Sequence, residues 1–156
     1  MLIIGAKGLA KEVLELCKNL NYLKDLVFYD NINRDSDLIY NQFTILHEDI
    51  EVVNYFKNTD KRFVLGLGEI THRIKLTDKF IALGGELTSL LSAEAIISTF
   101  DVSLGKGAVV MPGAIISNGV SLGQGCLVYF NTTVTHDVTV GKYSIIHQFN
   151  SVYKVE

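Results

Sequence analysis

The sequence predicts an α/β domain followed by a β-solenoid, and three observations predict it. The first is a hexad. Leu104, Val110, Ile116, Leu122, Val128, Val134, Val140, Ile146 and Val152 recur at every sixth position without a break. The second lies inside that hexad. Four residues after the anchors come Ala108, Ala114, Val120, Cys126, Thr132, Val138, Ser144 and Asn150, which are mostly small. The third is in the N-terminal half, where short aliphatic runs alternate with helical patterns, as in a small parallel sheet.

Hexapeptide repetition is a signature of parallel β-helices. Three hexads make one turn of a three-sided prism. Each side is a short strand, and each aliphatic anchor points into the shaft. A coil buries its apolar edge only by stacking on the next coil. Gly105, Gly123 and Gly141 add a period of eighteen over the six. A run of strands in a sandwich would alternate at period two, and nine anchors at one spacing argue against it.

In chain order, Met1–Ile4 reads as a buried strand that ends in Gly5-Ala6-Lys7-Gly8. Leu9, Val13, Leu16 and Leu20 then recur at helical spacing. In a strand–glycine turn–helix unit, Gly5 and Gly8 let the backbone approach a ligand. The first amides of the helix favour a phosphate. The motif lacks the third glycine of a dinucleotide fingerprint, so a tight turn for packing remains open. Leu26–Tyr29 reads as a second strand ending at Asp30-Asn31. That place suits a ribose or base contact or a simple turn opener. Ile39–Leu46 is expected as one strand and Asp49–Lys57 as a short helix. Arg62–Leu67 is expected as a strand that ends in Gly66-Leu67-Gly68. A helix from Glu69 to Leu83 should place Ile70, Ile74 and Leu76 inside and His72, Arg73 and Lys75 outside, and Gly84-Gly85 stops it. The first domain is therefore assigned to residues 1–86 and the solenoid to 87–156. Leu87–Ser103 forms a ragged opening coil.

Apolar residues make up 48% of the chain, enough for a sizeable core. The net charge of −3 argues against a nucleic-acid surface or an anionic membrane face as partner. No apolar run is long enough to span a bilayer. The N-terminal apolar segment is too short for a signal peptide. Cys17 and Cys126 read as buried thiols in a reducing compartment, and a cytoplasmic protein is expected. Metal-ligand spacings and a GxSxG elbow are missing, so no metal and no covalent nucleophile are expected. His136 follows the anchor Val134 by two and falls at a corner, with Asp137 beside it. A carboxylate there can fix the imidazole tautomer and raise its basicity; a solvated corner histidine is the alternative. His47 and His72 read as surface residues.

The segments LGKGAVVMPGAIISNGVSLGQGC and VTHDVTVGKY resemble left-handed β-helix acyltransferases of the hexapeptide-repeat superfamily. Together with LIIGAKGLAKEV and GLGEITHR, the chain resembles the group that N-acetylates nucleotide-linked 4-amino sugars, as in bacillosamine and perosamine synthesis. The sialic acid O-acetyltransferase-like proteins fall in the same group. The resemblance implies a Rossmann-like domain that holds the nucleotide, a left-handed solenoid and a homotrimer with its active site between neighbouring solenoids. It implies acetyl-CoA as co-substrate, His136 as general base and Asp137 as its orienter. Substrate contacts map to Gly5, Lys7, Gly8, Asp30, Asn31, Gly68 and Arg73, and donor contacts to Asn131 and Gly141.

The chain departs from the group in several places. Gly8-Leu9-Ala10 stands where GHG is usual, and Ser92-Ala93-Glu94-Ala95 where HPSA is frequent. Ile145 takes the place of a second histidine, and Gln148-Phe149-Asn150 that of a PGA-type corner. Relatives carry further hexads beyond the position of Glu156, so the donor groove is expected to be short at that end. The expected activity is acetyl transfer to the amine of a nucleotide-linked amino sugar. The alternatives are a trimer-forming nucleotide-sugar-binding protein without transfer, and a sialic acid or polysaccharide O-acetyltransferase.

Overall fold

The computed structural model describes residues 1–153 and divides the chain into two compact units, one from Met1 to Thr88 and one from Ser89 onward. The first unit is built around β1 (Leu2–Ile4), three aliphatic residues with no solvent exposure to speak of. After the glycine turn comes α1 (Gly8–Asn19), whose Ala10, Val13, Leu14, Leu16 and Cys17 are buried. There follow β2 (Val27–Tyr29), β3 (Leu38–Ile39), β4 (Phe43–Leu46), α2 (Asp49–Asn58), β5 (Arg62–Leu65), α3 (Ile70–Ala82) and β6 (Glu86–Leu87). The sheet order is β3-β4-β2-β1-β5-β6. All pairings are parallel except β3 with β4. The chain runs outward from β1 through β2 to β4, then returns to the other side of β1 with β5. This reversal opens a crevice at the carboxyl ends of β1 and β5, the usual place for a ligand in such sheets.

Two expectations are corrected here. Residues 39–46 are not one strand. Tyr40 and Asn41 both have φ of 53°, and Gln42 N donates to Ile39 O at 3.1 Å, so the segment is a hairpin with three residues between the paired Ile39 and Phe43. Asn tolerates that conformation, but Tyr at the first position gave no such signal.

The faces of α3 are also rotated from the expectation. Arg73, expected outside, is fully buried together with Thr77 and Phe80, while Ile70 and Ile74 are 49% and 40% exposed. The buried polar residues bring their own partners. Arg73 Nη1 donates to Leu67 O at 2.7 Å, and Thr77 Oγ1 donates to Arg73 O at 2.8 Å. Partnered polar groups can be buried without the usual penalty, and that freed the helix to turn. At its end, Gly84 N donates to Ile81 O and Gly85 N to Phe80 O, a Schellman stop with Gly84 at φ +93°.

The second unit is the left-handed parallel β-helix. Its strands are two residues each: β7 (Leu90–Leu91), β8 (Ile96–Ile97), β9 (Ser103–Leu104), β10 (Val109–Val110), β11 (Ile115–Ile116), β12 (Ser121–Leu122), β13 (Leu127–Val128), β14 (Thr133–Val134), β15 (Thr139–Val140), β16 (Ile145–Ile146) and β17 (Ser151–Val152). They form three faces, β7-β10-β13-β16, β8-β11-β14-β17 and β9-β12-β15. Val109 pairs with Leu127 and Leu127 with Ile145, eighteen residues at each step. The shaft holds Val110, Ile116, Leu122, Val128, Val134 and Ile146, with the small Ala114, Val120, Cys126 and Val138 between them. A fully buried aliphatic side chain of this kind contributes about 1.5–3 kcal/mol.

The opening coil is ragged for a definite reason. Ile96 pairs with Ile115, nineteen residues on, whereas Ser103 pairs with Ser121, eighteen on. One extra residue sits in the corner between β8 and β9, where Asp101 has φ 53° and Phe100 is 75% exposed.

Every later corner repeats one backbone device. Gly107, Gly113, Gly119, Gly125, Asn131, Asp137, Tyr143 and Phe149 all have φ between 53° and 78°. L-residues other than Gly, Asn and Asp rarely adopt this conformation. The four glycines at a spacing of six were a second, unused sequence signal for the solenoid.

Candidate functional site

The crevice at β1 and β5 contains a cavity of about 440 Å³. Gly5, Lys7, Asp30, Asn31 and Gly68 line it, so five of the seven expected substrate residues come together. The apolar part of its wall is supplied by Ile4, Leu9, Tyr29, Ile32, Leu67 and Leu76.

The two loops that frame the cavity touch each other. Gly66 N donates to Ile4 O and Gly5 N to Tyr29 O, both at 2.8 Å. A Cβ at Gly5, whose φ is +102°, would lie 2.8 Å from Gly66 O. One at Gly66 would lie 2.8 Å from Ala10 Cα and Cβ and from Ile3 Cγ2. These glycines serve close packing. Gly8 differs, since a Cβ there would meet nothing within 4 Å. Gly8 is exposed at the start of α1 and is not among the residues lining the cavity.

Gly66→Ala is therefore expected to lower the melting temperature by several degrees, because backbone and Cβ atoms must move and overpacking costs about 1–3 kcal/mol. Gly8→Ala should leave the melt unchanged. A thermal melt of both variants checks this, and an equal loss in both would contradict it.

The amino end of α1 is open. Its N-cap, Lys7, makes no side-chain cap, and its first turn holds no acidic residue. The other two helices are closed by carboxylates. Glu48 and Glu51 form a capping box on α2, and Glu69 accepts from Thr71 N and His72 N on α3. Unsatisfied first-turn amides next to a cavity favour an anion.

The Asp30 carboxylate is engaged within its own loop. Its Oδ1 accepts from Ile32 N and Asn33 N at 2.9 Å, and Oδ2 accepts from Asn33 Nδ2 at 2.8 Å. Burial alone would raise this carboxyl. The Asn33 backbone and side chain, the Ile32 amide and the nearby Lys7 hold it below the ordinary carboxylate range instead. The carboxylate thus shapes the loop on the cavity rim. From behind, His47 Nδ1 lies 2.6 Å from Asp30 O. Arg73 does not line the cavity; it ties down the second loop through Leu67 O. His72 and Lys75, read as surface residues, line the cavity in its place. Spacing alone offers no reason to choose them over Arg73, because only the rotation of α3 does so.

The second candidate group lies on the solenoid. His136 Nδ1 is 3.0 Å from Asp137 Oδ2, with the two side chains 74% and 57% exposed. They occupy the corner between β14 and β15. Asn131 lies at the corner before β14 and Gly141 at the corner after β15, so one coil carries the three sites on three different corners. Within one chain, six-residue spacing keeps Asn131 and Gly141 away from His136. His147 is stacked on Tyr129, 5.9 Å between centroids. Cys17 and Cys126 are both buried free thiols, and burial pushes Cys17 up to about 12. Among the described residues no group of three or more His, Cys, Asp or Glu could hold a metal ion, and no helix is long and apolar enough to cross a membrane.

The family described as the PglD N-terminal domain matches residues 1–80. Among solved structures, the acetyltransferase domain of PglB from Neisseria gonorrhoeae aligns with a TM-score of 0.82 at 27% identity, covering 96% of this chain and 71% of that one. The same domain in complex with acetyl coenzyme A aligns at 0.80 and 27% identity, over 92% and 68%. A variant of perosamine N-acetyltransferase from Caulobacter crescentus, in complex with CoA and GDP-perosamine, shares the fold at 0.68 and 19% identity, over 96% and 90%. No curated protein matches the chain significantly. With half its length covered by that match, the chain belongs to the PglD N-terminal domain family.

Proposed function

We propose that this protein is an acetyl-CoA-dependent acetyltransferase acting on the amine of a nucleotide-linked amino sugar. The observation that carries this reading is the exposed His136–Asp137 pair, on a corner of a solenoid in a chain that aligns over 92% of its length with an acetyltransferase domain seen in complex with acetyl coenzyme A. The cavity beside Gly5 supports the nucleotide half of the reading. It combines an apolar wall with Lys7 and the open amino end of α1, which suit a base and a diphosphate respectively.

In the proposed chemistry, His136 is neutral and accepts the proton that the amine loses as it attacks. Asp137 fixes the tautomer by accepting a hydrogen bond from Nδ1–H and leaves Nε2 as the base, then steadies the imidazolium that forms. Acetyl-CoA supplies the thioester carbonyl; its C–S bond breaks as the amide C–N bond forms, and the CoA thiolate leaves with the proton that His136 returns. Asn131 and the Gly141 backbone are the donor-side contacts. Because they sit on other corners than His136, this reading takes them from a neighbouring solenoid of a homotrimer.

The test is a transfer assay that follows CoA thiol release with UDP- and GDP-linked 4-amino sugars, alongside calorimetry with each substrate alone. Amide formation, with little turnover of hydroxyl acceptors, is the expected result. Binding of nucleotide-sugar without acetyl-CoA would instead make the chain a binding protein. Preferred acetylation of hydroxyl acceptors would make it an O-acetyltransferase.

A further inference from the structure

The cavity's cationic side is not composed as the sequence suggested. Its basic side chains are Lys7 from the glycine turn and His72 and Lys75 from α3. His72 is held in a particular way. Glu69 Oε2 accepts from the His72 backbone N at 2.6 Å and lies 3.1 Å from His72 Nδ1. One carboxylate thus caps the helix and stands at ion-pair distance from one ring nitrogen, and Nε2 is the other polar atom of the ring.

A neutral imidazole whose Nδ1 carries the hydrogen presents Nε2 as an acceptor, which repels phosphate oxygens. The protonated ring presents an N–H donor and a positive charge. Imidazole is the side chain whose charge changes between pH 5 and 8. The other charged groups around the ring are Lys7, Lys75 and Asp30, which line the same cavity, and Glu69. The Asp30 and Glu69 carboxyls are both held below the ordinary range, Glu69 by the His72 and Thr71 amides it accepts from.

We infer that His72 is a proton-dependent contact for the diphosphate of the nucleotide, so that ligand binding in this cavity takes up a proton. This rests on the reading of the cavity as a nucleotide-sugar site and adds its pH regulation. The sign follows from linkage. A group that is charged when bound gives its full contribution below its free-state titration and loses it as pH rises. Tight binding at mildly acidic pH and weaker binding at alkaline pH follow. Glu69 assists by compensating the imidazolium, so Glu69→Gln should move the pH profile to lower pH.

Calorimetry of the whole chain with a UDP-hexose and a GDP-hexose tests this. Their diphosphates are diesters and do not titrate between pH 5.5 and 8.5. The native protein should lose roughly tenfold in affinity across that range, the size expected for one charge-assisted hydrogen bond. Binding near pH 7 should take up a fraction of a proton in buffers of different ionisation enthalpy. His72→Gln should flatten the profile and abolish the uptake at an unchanged melting temperature, while Lys75→Met should weaken binding at every pH and keep the slope. A second imidazole, His47, stands behind the rim with Nδ1 2.6 Å from Asp30 O and Nε2 3.3 Å from Asp37 Oδ1, and His72→Gln retains it. A flat native profile, or the native slope in His72→Gln, overturns the inference and leaves the nucleotide site standing. If neither nucleotide binds at any pH, both fall.

Discussion

Replacing His136 with alanine is expected to lower turnover by about 10²–10⁴-fold, the usual worth of a positioned general base. Nucleotide-sugar affinity should stay within error, because the cavity that holds the nucleotide is built from residues of the first unit. The side chain is 74% exposed, so its loss leaves no cavity and the melting temperature should not move. Asp137→Asn should give a smaller loss and an altered pH profile of kcat, since the amide keeps the shape but cannot stabilise an imidazolium. An alanine variant with native turnover would remove His136 from the chemistry. A loss of turnover that tracks weaker nucleotide binding would show a structural effect instead.

A large stability effect is expected at Gly123. A Cβ there would stand 2.6 Å from Lys142 N and 2.8 Å from Gly141 C and Lys142 Cα, all backbone atoms of the next coil. Gly105 meets Gln124 N and Gly123 C at 2.5 Å in the same way. A side chain could rotate aside, but a coil cannot yield without stretching its ladder, here Gly123 N to Val140 O at 2.9 Å. Gly123→Ala is expected to cost about 3 kcal/mol, near the upper end of overpacking, and to lower the melting temperature by about 6–12 °C. At Gly141 the nearest atom is Ser144 Oγ at 3.7 Å, so Gly141→Ala should melt like the native chain. Equal melts for all three would show that the glycine ridge does not hold the coils together.

The solenoid was legible because its signal is periodic and repeated. Nine anchors at one spacing leave few other folds, and the handedness came only from resemblance. The α/β half was legible where local chemistry decides the element, as at Gly84-Gly85. It failed where long-range partners decide. Ile70 and Ile74 looked like the inner face of α3 because apolar residues usually are, but Arg73 has a carbonyl waiting at Leu67 and takes the inside. That single rotation also moved the expected ligand contact from Arg73 to His72 and Lys75. Asp30 shows another limit. Its place on the sheet edge was readable, but its commitment to Ile32 and Asn33 depends on the path of the loop. The extra residue at Asp101 was invisible to a strict frame, because an insertion in a corner shifts no side chain off its face.

The corner ladder has an implication for how this molecule could change. Where Asp137 turns, the residue one coil earlier is Gly119, and the space in which its Cβ would stand is filled by Asp137 Oδ1. The same holds for Asn131 against Gly113 and for Tyr143 against Gly125. Each side chain borne on a later corner is seated in the vacancy left by a bare predecessor. The aim of the imidazole at 136 therefore depends on a position that has no side chain of its own. In any lineage descended from this chain, residues 119 and 137 are free to vary only as a couple, and the first methyl group to appear at 119 would push aside the Asp137 carboxylate that lies beside the imidazole.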